Sequence, residues 1–337
     1  MQTNLSRRNP VFDNKVFKVL GITPIGLAVF AVLAVVPLFI KDQYILHLIV
    51  SSLMFGALAM SFDFTVGFIN IVNFGYAALM GAGAYTAALL VTRLGISHWL
   101  AMLVAALVAA CLGFLVGVLT LRLRGMFAAI MAWFLGVTLM SLAANLMDLT
   151  RGQLGLNVPM LFRTTDKLPY LYVILAITAI IYIVLKKMIN SDIGLAFRAI
   201  GQDMEAAETS GISATKYKVF NFTVSCFFAG LVGAFYGYFV GVLTPAVMHT
   251  RVTVEILALC YIGGRGSLWG GLLAAFLIIP FFEYLRPLME IRLIIYGILL
   301  ILVMIFYPGG LAGIYNQVAE LVKEKFLSGF SSKGKSL

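Results

Sequence analysis

Long apolar blocks separated by short polar joints dominate this chain. Uncharged or nearly uncharged runs occupy residues 22–40, 44–61, 71–91, 98–119, 127–146, 169–187 and 219–241, then a shorter run at 246–262 and two more at 267–283 and 292–307. A helix rises about 1.5 Å per residue and a bilayer core is about 30 Å thick, so runs near 20 residues reach across. The pattern predicts an all-α, polytopic integral membrane helical bundle of about ten transmembrane helices. Ten spans divide into two sets of five that start from opposite faces, the arithmetic of an inverted repeat. The run at 246–262 is the weak point, because about 17 residues barely cross. The boundaries that follow are an N-terminal segment 1–21, a transmembrane domain 22–313 and a tail 314–337.

Residues 191–212 form the longest water-compatible segment between two of these runs. A short helix is predicted over 204–210, with Asp203 and Glu205 at its start, where the helix dipole favours negative charge, and Gly211 just past its end. Ala206 and Ala207 leave a small, flat face on which another protein can pack. A solvated linker needs neither the capped helix nor the tight hairpin.

Composition sharpens the class. Apolar residues make up 62% of the 337-residue chain and charged residues 11%, far from the soluble norm, so a soluble core is excluded. The net charge of +10 does not point to nucleic acid, because Lys and Arg are spread over joints and ends. With the N-terminus cytoplasmic, most of the 24 Lys and Arg fall on cytoplasmic segments, which predicts both termini inside. The three cysteines lie in apolar runs without paired spacing, so neither a disulfide framework nor a metal site is expected. Ser6-Arg7-Arg8 resembles a twin-arginine signal, but Pro10 and the basic continuation argue against it. The run 22–40 lacks a small-residue cleavage site and is expected to stay as an anchor.

Polar groups inside apolar runs are costly and so are candidates for function. Asp63, Asn70, Asn73 and Glu255 are therefore candidates for a translocation path. Gly67 and Gly75 can break the helix around the two asparagines and free backbone groups for a polar solute, while the amides can equally join helices. Arg251 and Glu255, four apart, read as a local ion pair or as an outer gate. Gly113-x-x-x-Gly117 and the stripe Gly233, Gly237, Gly241 are close-packing signatures. Nothing in the chain has the spacing of a phosphate-cradling loop, a Ser/His/Asp arrangement or a metal cluster, so no cofactor and no enzyme activity of its own is expected.

Several blocks carry a family resemblance across roughly residues 50–313. They are Gly67 through Tyr85 with its Gly-x-Gly-Ala-Tyr ending, Leu121-Arg-Leu-Arg-Gly125, and Gly194-x-Ala196-x-Arg198-Ala199-Ile200 with Ala206-Ala207 and Gly211-Ile212. Gly263-Gly-Arg-Gly-Ser-Leu-Trp-Gly270 and the stretch from Tyr296 to Pro308-Gly-Gly-Leu-Ala-Gly313 follow in the same order. Together they resemble the permeases of branched-chain amino-acid ABC importers. Departures occur at Met126-Phe127, where that family often has an acidic residue and Tyr, and at Thr150-Arg-Gly-Gln-Leu-Gly155 in an outer loop. The resemblance implies a multi-pass permease in a bacterial or archaeal inner membrane, moving branched-chain or related amino acids by alternating access. It implies separate ABC ATPase subunits that bind the ATP, a homologous second permease subunit and an external solute-binding protein. The segment 191–212 would be the ATPase-coupling loop, with Arg198, Ala199, Asp203, Glu205, Ala206, Ala207 and Gly211 at the contact. Urea or a short amide is the rival cargo within this class. An ion-coupled secondary transporter is the rival outside it, but such a carrier has no use for a coupling loop.

Overall fold

The computed structural model describes residues 42–314 apart from 121, 122, 124, 125, 163, 165, 286–290 and 308, together with residues 33, 35, 37 and 40. The first apolar run, the basic pair Arg122 and Arg124, the N-terminal segment and the tail beyond 314 thus lie outside the described residues or nearly so.

The described helices are α1 (Gln43–Val66), α2 (Tyr76–Leu94), α3 (His98–Leu119), α4 (Met126–Asn145) and the single turn α5 (Met147–Thr150). After β1 (Leu156–Asn157) come α6 (Leu168–Ile189), α7 (Asp192–Gln202), α8 (Met204–Thr209) and α9 (Ala214–Val240). The last group is β2 (Val242–Leu243), α10 (Thr250–Gly263), α11 (Trp269–Tyr284) and α12 (Ile291–Phe306). Seven stretches among the described residues are long and apolar enough to cross a membrane: α1, α2, α3, α4, α6, α9 and Gly297–Ile314. These helices are apolar around their whole circumference, as expected where lipid replaces water on the outer face.

The eighth predicted run departs from the expectation. A 3-10 turn at Pro245–Met248 precedes α10, which has only 14 residues. At about 1.5 Å per residue α10 covers some 21 Å, too little to cross alone. Gly241, at φ 79°, ends α9 in the left-handed region, and Pro245 keeps the chain out of helix until Thr250. The start of α2 is similar: residues 70–75 are non-helical, and α2 begins at Tyr76 rather than near 71. The starts of α10 and α2 meet inside the bundle, where Ala77 N donates to Thr253 Oγ1 at 3.0 Å.

Close helix approach holds the bundle together. On α9, a Cβ at Gly230 would meet Ala109 Cβ and lie 3.1 Å from Ala105 O on α3, while Gly83 of α2 faces Gly230 from the other side. Gly233 lies against the carbonyl of Met80, and Gly113 and Gly117 of α3 lie against Cys226, Phe222 and Val219 of α9. A Cβ at Gly237 would lie 3.3 Å from the end of the Leu243 side chain and in ordinary contact with Ala84 of α2, 3.6 Å from its carbonyl oxygen. Gly241 departs from the packing role read for the stripe: a Cβ there would meet nothing within 4 Å, because the residue turns the chain instead of facing a helix. Buried polar groups join α1 to its neighbours as well. Ser225 Oγ donates to Ser61 O at 2.6 Å, Asn221 Nδ2 to Phe64 O at 2.8 Å, and Ser61 Oγ and Tyr76 Oη lie 2.5 Å apart. Such bonds between membrane helices each contribute about 0.6 to 2 kcal/mol.

Candidate functional site

The polar segment contains two helices, not one. Besides α8, the stretch before it forms α7, an amphipathic helix that buries Ala196, Phe197 and Ile200 and exposes Leu195 and Arg198. Gly194 and Gly201 sit inside α7, each where a carbonyl leaves no room for a side chain. A Cβ at Gly194 would meet the carbonyl of Ile189, and one at Gly201 the carbonyl of Phe68. Asp203 caps α8, its carboxylate accepting from Glu205 N at 2.9 Å and Ala206 N at 3.1 Å. Gly211, at φ 86°, follows the helix, and Ile212 N returns to the carbonyl of Ala207 at 3.0 Å.

The two alanines have different surroundings. Ala207 is 4% exposed, covered by its own chain, whereas Ala206, Glu205 and Asp203 face outward. The outward surface of the pair is thus that of Ala206. Ala199 is half-buried. Arg198 lies with its guanidinium 5.9 Å from the centre of the Phe68 ring, a cation–π arrangement rather than an ion pair with a neighbouring glutamate.

Phe68 links α7 to the end of α1. Phe197 meets Phe64 edge-on at 5.2 Å and Tyr217 at 6.0 Å, so α7, α1 and the start of α9 share one aromatic contact. One helical turn away, Asp63 is buried at 2% exposure and holds the Gly263-Gly-Arg-Gly-Ser267 hinge between α10 and α11. Its Oδ1 accepts from Gly266 N at 2.8 Å and lies 3.1 Å from Cys260 Sγ; its Oδ2 accepts from Leu268 N at 3.0 Å. Leu268, at φ 56°, occupies a backbone conformation rare for a leucine, and this carboxylate secures it. Arg265 donates to Asn70 Oδ1 at 3.1 Å, and Gly67 packs against the Gly266 backbone. On the far side of the hinge Gly264 and Gly310 fit against each other, joining the chain just beyond α12.

Three of the residues proposed for a path are therefore engaged in bonds within the chain, Asp63 and Asn73 to backbone N–H groups and Asn70 to a side chain. Asp63 and Asn70 secure the hinge, and Asn73 accepts from Gly75 N at 3.1 Å at the start of α2. Glu255 pairs with Arg251 at 3.2 Å, both partly exposed. A cavity of about 230 Å³ lies elsewhere, beside the meeting starts of α2 and α10. It is lined by Met54 and Leu58 of α1, Met80, Tyr236, Thr244 and Val252, among others. Sequence reasoning missed these residues, since apolar side chains within apolar runs give no signal of lining a void. Among the described residues no group of three or more His, Cys, Asp or Glu is arranged to hold a metal ion.

All-helical packing, seven span-length apolar stretches and helix starts that meet inside the bundle define a multi-pass membrane protein with a polar, two-helix loop at one end. The chain belongs to the family described as branched-chain amino acid transport system / permease component, whose family model it matches over residues 44–306. It is similar to the high-affinity branched-chain amino acid transport system permease protein LivM of Escherichia coli (strain K12), with 28% identity over 313 residues, covering 85% of this chain and 74% of that protein. The LivM of Salmonella typhimurium (strain LT2) is 29% identical over 282 residues, covering 75% of this chain and 66% of that protein. No solved structure matches the chain.

Proposed function

We propose that this chain is the permease subunit of an ABC importer that moves branched-chain or related amino acids across a bacterial or archaeal inner membrane by alternating access. One observation carries the reading. Helix α7 packs, through Phe197, Arg198 and Gly201, on the same end of α1 whose Asp63 holds the α10–α11 hinge. A push on the polar loop thus reaches the start of α11 and the cavity-lining α10 through packed residues alone. In this reading separate ATPase subunits bind ATP and press on α7 and α8, with Asp203, Glu205 and Ala206 on the accessible side. A homologous second permease subunit and an external solute-binding protein complete the importer.

The same reading takes the chain as an inverted repeat of five plus five spans, with α10 and the irregular residues before it counted together as one. Chain order pairs α1, irregular residues 67–75, α2, α3 and α4 with α9, irregular residues 241–249, α10, α11 and α12. The packing follows the same exchange, since α3 lies against α9 while α11 lies against α1. Counting the run at 22–40 as the first span puts both termini on the side of the polar loop, the cytoplasmic side by the distribution of Lys and Arg. The 230 Å³ cavity, lined by methionines, valine and leucine with Tyr236 and Thr244 as polar groups, suits a small solute with a branched apolar side chain.

Reconstitution tests this. The chain would be placed in proteoliposomes with ATPase subunits, the second permease and a solute-binding protein, and uptake of labelled leucine and of labelled urea compared. Uptake of leucine that requires ATP is expected. Transport of urea alone overturns the cargo, and leucine uptake without ATP overturns the ABC mechanism.

A further inference from the structure

A second cavity, of about 380 Å³, opens at the polar-loop end of the bundle, beside the hinge between α10 and α11. Two cations line it. Lys186 stands in the last turn of α6, and Arg265 is on the hinge; Ser267, Trp269 and the side-chain-free surface of Gly309 and Gly313 complete the wall. No carboxylate is among the described residues that line it. Asp63 lies close enough to Arg265 to attract it but does not line the cavity, and its oxygens are taken up by Gly266 N and Leu268 N. Arg265 uses one donor on Asn70 Oδ1, and a guanidinium has five, so most of its capacity remains. Two cations on one wall, one of them a guanidinium with donors to spare, favour an anion with several oxygens between them.

Position narrows the anion. Helix α6 has 22 residues, about the thickness of the hydrocarbon core, so a lysine in its last turn stands at the membrane boundary. Trp269, at the start of α11, offers an indole at the same level, where aromatic side chains settle among headgroups. Basic pockets between spans at this depth suit the phosphate of anionic lipids. We propose that the cavity between Lys186, Arg265 and Trp269 binds a phosphate group, supplied by the headgroup of an anionic phospholipid in the leaflet on the polar-loop side. Because the pocket is built partly from the hinge, the bound headgroup braces the turn that joins α10 to α11.

Native mass spectrometry of the purified full-length protein tests the proposal, with phosphatidylglycerol, phosphatidylcholine or inorganic phosphate added in turn. Phosphatidylglycerol is expected to be retained in preference to phosphatidylcholine. Its apparent affinity is expected to fall about fivefold in Lys186→Gln and roughly thirtyfold in Lys186→Gln with Arg265→Gln. Lys186→Gln leaves the bond between Arg265 and Asn70 intact, so it carries the test if the double variant does not fold. Failure of excess inorganic phosphate to displace the lipid supports the headgroup as source. Displacement by phosphate, lost in the same variants, supports the phosphate site with a soluble ligand. Equal retention of both lipids, or phosphatidylglycerol retention unchanged in Lys186→Gln, overturns the proposal. So does a cavity that rejects both lipids and phosphate while an ATPase subunit shields Lys186 from amine labelling. A failed uptake assay leaves this result untouched, since binding is read without transport.

Discussion

Asp63→Ala is expected to loosen the turn between α10 and α11 and to destabilise the whole bundle. The side chain is buried and satisfies the N–H groups of Gly266 and Leu268, for which no other acceptor stands among the described residues. A buried donor left without a partner costs about 1–3 kcal/mol, which applies to Leu268 N, and the part-buried Gly266 N adds a smaller amount. Leu268 would also be released from its left-handed backbone, and the start of α11 with it. Thermal unfolding in detergent, followed by size-exclusion chromatography, should show a large drop in midpoint and a poor monodisperse yield. Asp63→Asn keeps one acceptor oxygen and should fall between wild type and alanine. A wild-type melting curve for Asp63→Ala would mean that the hinge is held by something other than this carboxylate.

Gly230→Leu should have a comparable effect by a different route. Gly230 is gripped from two sides: Gly83 of α2 lies against its backbone, and the space for its own side chain is filled by Ala109 Cβ and by the Ala105 carbonyl at 3.1 Å. Overpacking a core usually costs about 1–3 kcal/mol because side chains can shift. Here part of the obstacle is the α3 backbone at Ala105 and Ala106, so α9 has to move away from α3, and the loss should exceed that range. Insertion into the membrane should persist, since hydropathy is unchanged or raised, while protease resistance and melting temperature collapse. Gly237→Leu, whose nearest neighbour is the flexible end of Leu243 at 3.3 Å and whose contact with the Ala84 carbonyl is an ordinary 3.6 Å, serves as the comparison and should be much milder. Equal behaviour of the two variants would mean that the crossing at Gly230 is no tighter than the one at Gly237.

These two residues illustrate what the sequence makes legible. Gly233 stood out in a stripe spaced by four, whereas Gly230 and Gly83, which face each other across α9 and α2, belong to no single period, because three helices converge there. Asp63 stood out as a carboxylate in an apolar run, but its role depended on the Gly263–Ser267 turn, some two hundred residues away, and no local pattern gives such a pairing. Helix α7 was not expected from the sequence, in which Gly194 and Gly201 lower helix propensity; both are accommodated because they approach the Ile189 and Phe68 carbonyls closely. The short α10 and the late start of α2 were half visible in Gly241, Pro245 and Gly75, yet hydropathy alone counts a run as a span whether or not the chain is helical throughout.

If the outward side of α7 and α8 receives a partner ATPase, Ala206 gives the sharpest measurement. Ala207→Arg would force a cation into the chain's own packing and could not separate folding from docking. Ala206 is exposed, and its backbone bonds to Asp203 and Ser210 do not depend on the side chain, so Ala206→Arg should change stability by no more than about 0.5 kcal/mol. The measurement is co-purification of the ATPase subunit with membrane-extracted Ala206→Arg protein, beside its melting curve and leucine uptake. The expected result is a wild-type melting curve with the ATPase subunit and the uptake lost together. Full recovery of the ATPase subunit with undiminished uptake would contradict docking at this surface and leave the polar segment as a linker.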